Sequence, residues 1–225
     1  MKKAFLILLI NLITLSAFCQ ENNLKEISRK NYRSIMADKD EKLATGDSIL
    51  NTVAHDFKFK TLKGDSIQLS TLKGKVVVMS AFFAVCYPCL KELVILEKLA
   101  NEYENENVVF LDISIVDTPE ILEKMKSHIV DKWKWVDASI YDKIIFVAAS
   151  QDGEGQDGYQ PRHLNSEKYK NETREFLEKK YTVVSVPVTF FIDKEGIIRF
   201  ISRSFYEEYD YYTFYKSEID ALLKK

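Results

Sequence analysis

Cysteine is scarce in this chain, with three in 225 residues. A small fold stapled by several disulfides is therefore excluded. Glycine (7) and proline (4) are also few, which excludes collagen-like and low-complexity chains. Neither sign of charge dominates: Lys+Arg is 32 against Asp+Glu 34, a formal net charge of −2. The chain thus lacks the basic footprint of a nucleic-acid binder. No internal repeat divides it. What is present is 46% hydrophobic residues, enough for a packed core and incompatible with a wholly disordered chain. The length suits one domain with embellishments.

The start is set aside from the fold. Met1-Lys2-Lys3 is basic, Ala4 to Phe18 is apolar apart from Asn11, Thr14 and Ser16, and the run closes on Ser16-Ala17-Phe18-Cys19. This is the layout of a secretory signal peptide over residues 1–19. Cleavage after Cys19 places Ala17 and Cys19 at the small-residue positions and makes Gln20 first. Lipidation of Cys19 and retention as a membrane anchor are the alternatives; Phe18 is bulky for the first, and the run is short for the second. Cleavage gives a periplasmic or otherwise extracytoplasmic protein whose remaining cysteines are Cys86 and Cys89.

Residues 20–52 are polar, with Leu24, Ile27, Tyr32, Ile35 and Met36 at loosely helical spacing, and read as a leader or short helix. A domain over 53–225 follows. Phe57 to Leu62 alternates like a strand, Lys63-Gly64-Asp65-Ser66 reads as a turn, and Ile67-Gln68-Leu69 alternates again. Val76 to Phe83 is nearly continuous in apolar residues, as expected of a strand covered on both faces. After Cys89 the period becomes helical: Leu90, Leu93, Val94, Leu96, Leu99, Ala100 and Tyr103 share a face, with Lys91, Glu92, Glu97 and Lys98 off it. Val108 to Val116 predicts a strand, and Asp117-Thr118-Pro119-Glu120 a helix start. Residues 131–180 form an insert. It holds some buried structure around Ile144–Val147, an acidic glycine loop at 152–158, and a helix over Glu167–Lys180. The loop lacks the carboxylate spacing of a calcium-binding EF-hand. Val183 to Ile192 predicts a strand, Asp193-Lys194-Glu195-Gly196 a hairpin turn, Ile197 to Ser202 another strand, and Glu207 to Lys225 a closing helix. Helical crossovers early and a hairpin late imply an α/β fold with a mixed central sheet flanked by helices.

The strongest chemical signal is Cys86-Tyr87-Pro88-Cys89, between the buried strand and the amphipathic helix. Cysteines at this spacing can close a small disulfide across a helix start. The helix N-terminus stabilises a thiolate on the first of them. Cys86 then reads as the attacking thiol, and Cys89, one turn inside and less exposed, as the resolving thiol. A zinc site would need about two further ligands, and His55, His128 and His163 are scattered. A purely structural bridge would close too short a loop to remove much chain entropy. No metal and no cofactor is expected. Val186-Pro187 opens the strand before the hairpin and, taken alone, reads as an ordinary trans strand edge.

These segments resemble the thioredoxin fold, and more closely the exported ResA/TlpA-like thiol–disulfide oxidoreductases. The resemblance covers roughly residues 53–225. Phe57-Lys58-Phe59 with Gly64, Ile67-Gln68-Leu69-Ser70 and Leu72 to Val78 are similar to that family's opening hairpin, an N-terminal extension, and its central strand. Cys86-Tyr87-Pro88-Cys89 falls on its redox pair, and Glu92 follows three residues later as in many members. Val186 to Gly196 is similar to its cis-proline strand and turn. The resemblance implies that Pro187 is cis and beside Cys86. It also implies that Val186 offers backbone hydrogen bonds to a substrate chain, with Tyr87 and Pro88 lining the same surface. The implied partners are protein thiol or disulfide substrates and a membrane electron donor, with reduction the favoured direction.

Three departures stand out. Val85 replaces the family's Trp before the first Cys. Ser80 occupies the place of the buried acid of thioredoxins, six residues before that Cys. The insert at 131–180 is enlarged. Proton transfer for Cys89 then falls to water, Glu92 or Asp112, although alone Glu92 reads as a solvent-facing helix residue and Asp112 as a solvated or hydrogen-bonded strand residue. Three other functions share the fold. A thiol peroxidase would have Thr where Phe83 stands. A copper metallochaperone would have three residues between its cysteines and a later His than His163. A binding module would keep the fold with idle cysteines.

Overall fold

The structure, a computed structural model, describes residues 48–132, 143–149, 171–203, 205–207 and 209–224. Contacts divide the chain between Glu41 and Lys42, and all described residues lie in the second unit. The signal segment 1–19, the leader up to residue 47, the glycine loop 152–158, His163 and the start of the helix expected from Glu167 lie outside the described residues.

Strand β3 (Val76–Phe82) is buried along its whole length, because both faces of the sheet are covered and its β-branched residues suit that setting. It is the centre of a five-stranded sheet, with two strands on each side. On one side β4 (Val108–Ser114) and β5 (Ile144–Val147) run parallel to it. They are reached through helices α1 (Tyr87–Glu102) and α2 (Pro119–Lys132), as parallel pairing requires. On the other side β6 (Val188–Ile192) and β7 (Ile198–Arg203) are antiparallel. Their hairpin depends on Gly196 at φ +83° and on Asp193, whose Oδ1 accepts the amides of Glu195 (3.1 Å) and Ile197 (2.9 Å). Two short strands, β1 (Lys58–Lys60) and β2 (Ser66–Gln68), pair antiparallel as a separate sheet. Leu69–Leu72 then forms a 3-10 turn, so the strand stops one residue short of Leu69, where the sequence alternation ends.

Side-chain alternation along β6 assigns the layers. Phe191 meets Tyr215 of α4 (Tyr211–Leu223), ring centroids 5.0 Å apart. The next residue back, Phe190, points the other way and meets Tyr181 of α3 (Glu172–Tyr181) at 5.3 Å. Thus α4 and α3 cover opposite faces. Helix α1 packs against both α4 and β4. That double contact explains a correction to the helical-wheel reading: Glu92 and Glu97, expected off the core-facing stripe, are both buried.

The register carries one polar row across the apolar sheet. Asp112 lies opposite Ser80, Ser80 opposite Thr189, and Thr189 opposite Ser202. Paired positions share a face, so these four side chains line the layer under α1 and α4.

Candidate active site

Where β3 ends, the chain turns into α1 and places Cys86 at the N-cap, with φ −77° and ψ 102°. The next two residues are Tyr87 and Pro88, and proline is tolerated there because first-turn amides have no partner within the helix. Cys86 and Cys89 are joined as a disulfide, with Cα atoms 5.2 Å apart. The Cys86 Sγ also accepts the Cys89 amide at 3.3 Å, so one of the helix's first-turn N–H groups points at that sulfur. Cys86 retains 7% of its surface and Cys89 3%. The rim is open: Val85 is 54% and Tyr87 47% exposed, and Pro88 is exposed. Lys91 Nζ stands 5.4 Å from the Tyr87 ring centroid.

The Val186–Pro187 peptide bond is cis. Ala81 pairs with Val188, so Pro187 comes at the end of β3 from which the cysteine turn departs. Pro187 is buried and Val186 half-buried. The approach to Pro187 is anchored by Arg203, which donates to the Thr182 carbonyl (3.2 Å) and hydroxyl (2.9 Å). Thr182 ends α3 in a left-handed conformation at φ +53°, costly for a β-branched residue, and these two bonds hold it there.

Under the helix lies the polar layer. Glu92 is 1% exposed. Its carboxylate accepts from Thr189 Oγ1 at 2.9 Å, from Ser80 Oγ at 3.3 Å and from the Tyr215 hydroxyl, while the Tyr215 hydroxyl is also 2.9 Å from Ser202 Oγ. Burial pushes the Glu92 carboxyl up to about 7, against the pull of those three hydroxyls. Asp112 is fully buried, and its carboxyl is held well above the usual carboxylate range by burial first and by the Glu92 charge second. Its Oδ1 has no hydrogen-bond partner among the described residues. Neither acid is solvent-facing, which corrects the reading of Glu92 alone and the solvated alternative for Asp112. Ser80, which stands where thioredoxins carry a buried acid, thus lies beside a bundle of hydroxyls and carboxyls.

Sequence reasoning missed Thr189, Ser202 and Tyr215. Thr189 left a faint trace, a polar residue inside Val188-Thr189-Phe190-Phe191-Ile192. Tyr215, in a tyrosine-rich helix, left none. Among the described residues no group of three or more His, Cys, Asp or Glu could hold a metal ion. Taken together, the cysteine pair can pass electrons two at a time between bonded and dithiol forms, and the acids beneath can hold or release protons.

The profile of the AhpC/TSA family matches residues 50–201. The chain is similar to the thioredoxin-like protein YneN of Bacillus subtilis, 24% identical over 146 residues, 65% of this chain and 66% of that protein. It is also similar to the thiol–disulfide oxidoreductase ResA of Bacillus thuringiensis, 27% identical over 158 residues, 70% of this chain and 69% of that one. The aligned stretches thus leave about a third of each relative unmatched. Two solved structures share the fold. One, provisionally named a protein disulfide isomerase, is from Bacteroides thetaiotaomicron (TM-score 0.55, 19% identity, 78% of this chain and 91% of that one). The other is a thiol:disulfide interchange protein from a Bacteroides species (TM-score 0.50, 20% identity, 78% and 91%). With two thirds of its length matched by the profile and a disulfide-bonded cysteine pair at a helix mouth beside a mixed sheet, the chain belongs to the thioredoxin-like AhpC/TSA family.

Proposed function

We propose that the chain is an extracytoplasmic thiol–disulfide oxidoreductase that uses Cys86 and Cys89 on protein substrates, in the reducing direction. The observation that carries this is the Cys86–Cys89 bond at the mouth of α1. In the reduced enzyme the Cys86 thiolate, favoured by the helix N-terminus, attacks one sulfur of a substrate disulfide. A mixed disulfide forms, and the displaced substrate sulfur leaves as a thiolate that takes up a proton. Cys89 then loses its proton and attacks the Cys86 sulfur. The mixed disulfide breaks, the second substrate thiol is released, and the enzyme is left as the Cys86–Cys89 disulfide. The substrate has gained two electrons and two protons; an electron donor, expected to be a membrane protein, restores the dithiol. Glu92, one helical turn beyond Cys89 on α1 and poised near neutral pH, is suited to take the Cys89 proton. Asp112 stands behind it as a second acid.

Val186 and Pro187, with Tyr87 and Pro88 across the turn, form the surface on which the substrate chain lies. Export is supported by the layout of residues 1–19. Among the described residues no helix is long and apolar enough to cross a membrane.

Two measurements test the reading. Reduction of a protein disulfide by the dithiol form should vanish in Cys86→Ser, and Cys89→Ser should accumulate a mixed disulfide; parental behaviour in both variants refutes it. A redox titration of the couple tests direction: a midpoint of about −270 mV fits a reductant, and one of about −120 mV an oxidant.

A further inference from the structure

Asp117 takes no part in the exchange just described, yet it is buried and its contacts lead to the cysteine turn. The sequence reads Asp117-Thr118-Pro119-Glu120 as a helix start. In the structure Thr118 Oγ1 accepts the Ile121 amide, at 3.4 Å, and the Asp117 carboxylate turns back toward β3. Its Oδ2 accepts the Ala84 amide at 2.7 Å and the Ser114 hydroxyl at 2.7 Å. Ser114 Oγ in turn accepts the amides of Val116 (3.2 Å) and Asp117 (2.8 Å). The same corner holds the start of the turn, since the Ile115 amide donates to the Phe82 carbonyl at 2.9 Å. The corner is itself braced: the Ala149 amide donates to the Asp117 carbonyl at 2.9 Å, and Asn171 Nδ2 to the Ile115 carbonyl at 3.0 Å.

We infer that Asp117 is a positioning residue that fixes Cys86 at the mouth of α1 by holding the Ala84 amide. The inference rests on the reading of Cys86 as the exchanging thiol. Ala84 is buried, so its N–H cannot fall back on bulk water. Without the carboxylate, a buried donor is left unmade or the turn rearranges to find another acceptor. One residue separates Ala84 from Cys86, and the Cys86 amide closes the same turn onto the Phe83 carbonyl at 3.0 Å. Any rearrangement therefore shifts the sulfur relative to the Cys89 amide. That contact is stronger for a thiolate than for a thiol or a disulfide. The reduced enzyme thus depends on the clamp more than the oxidised enzyme does.

The test uses the full chain and its own redox couple. Asp117→Ala removes the acceptor, and Asp117→Asn keeps a side-chain oxygen for the Ala84 amide but loses the charge. Two readouts are followed: the rate of Cys86 alkylation by iodoacetamide against pH, and the equilibrium with glutathione. In Asp117→Ala the alkylation midpoint should move to higher pH. The equilibrium should shift about tenfold toward the disulfide, which is a midpoint about 30 mV more negative for a two-electron couple. Asp117→Asn should stay much closer to the parent. A purely structural role would destabilise both redox forms alike and move neither readout, so parental values in a folded Asp117→Ala overturn the inference. Equal shifts in the Ala and Asn variants also overturn it, because they assign the effect to charge rather than position. Should Asp117→Ala fail to fold, Ser114→Ala carries the test with a smaller shift in the same direction expected, and parental values there refute it. Failure of the parent to reduce any protein disulfide would defeat the proposed function while leaving these readouts on the Cys86–Cys89 couple intact.

Discussion

Replacing Glu92 with Gln should make the protein more stable at alkaline pH, and the structure sets the size of the effect. The carboxyl rises from an ordinary 4.5 to about 7 because it is buried. Between those values the native state keeps a proton that the unfolded chain has released. Stability is therefore full below 4.5 and is lost as pH rises through 7. At 1.36 kcal/mol per pKa unit the loss is about 3 kcal/mol. With urea slopes of about 1–3 kcal/mol per molar for single domains, the unfolding midpoint should drop by about 1 M or more. Gln has nearly the same shape; its oxygen can still accept from Thr189 and Tyr215, and its NH2 can turn to the Ser80 oxygen. The variant should therefore match the parent near pH 5 to within about 1 kcal/mol and exceed it at pH 8 by about 2–3 kcal/mol. Asp112 gives a slope of the same sign. Loss of the Glu92 charge lowers that carboxyl too, which widens the gap in the same direction. The assay is urea unfolding of the disulfide form, followed by far-UV circular dichroism at pH 5, 6.5 and 8. Parallel stability curves for the two proteins, or a less stable variant at pH 8, would refute the buried-charge argument.

Three further outcomes are expected. Tyr215→Phe removes a hydroxyl donor from the Glu92 carboxylate; it should cost about 1.5–3 kcal/mol at pH 8 and clearly less at pH 5, where the acid is protonated, as read from the same urea series. Asn171→Ala deletes both the α3 N-cap bond to the Arg174 amide at 2.8 Å and the bond to the Ile115 carbonyl; thermal unfolding should show a loss of about 1–2 kcal/mol. Gly196→Ala meets no atom within 4 Å but holds φ at +83°; the cost should be conformational alone, about 1–2 kcal/mol, and Gly196→Asn should recover part of it because Asn tolerates the left-handed region.

Much of the architecture was legible because it depends on periodicity and turn chemistry, which are local. The nearly continuous apolar run at Val76–Phe83 announced a strand covered on both faces, and the Asp193–Gly196 turn announced a hairpin. Cys86 and Cys89 were legible for the same reason, since their spacing and their place before an amphipathic helix lie within a few residues. Glu92 and Asp112 were harder. A wheel drawn for one helix assumes one buried face, whereas α1 is covered by the sheet and by α4 together. A carboxylate placed between those layers looks solvent-facing from its own helix.

Chain order alone therefore determined the Cys86–Cys89 pair, the helix that follows it and the strand and turn segments of the sheet, because each is set by neighbours a few residues away. Tertiary structure decided where the protons can reside and how the sulfur is held. Tyr215 reaches Glu92 across 123 positions, Thr189 across 97, and Asp117 reaches Ala84 across 33. A hydrogen bond between residues that distant exists only once strand register and helix packing have brought them to one layer, and no local pattern encodes that juxtaposition.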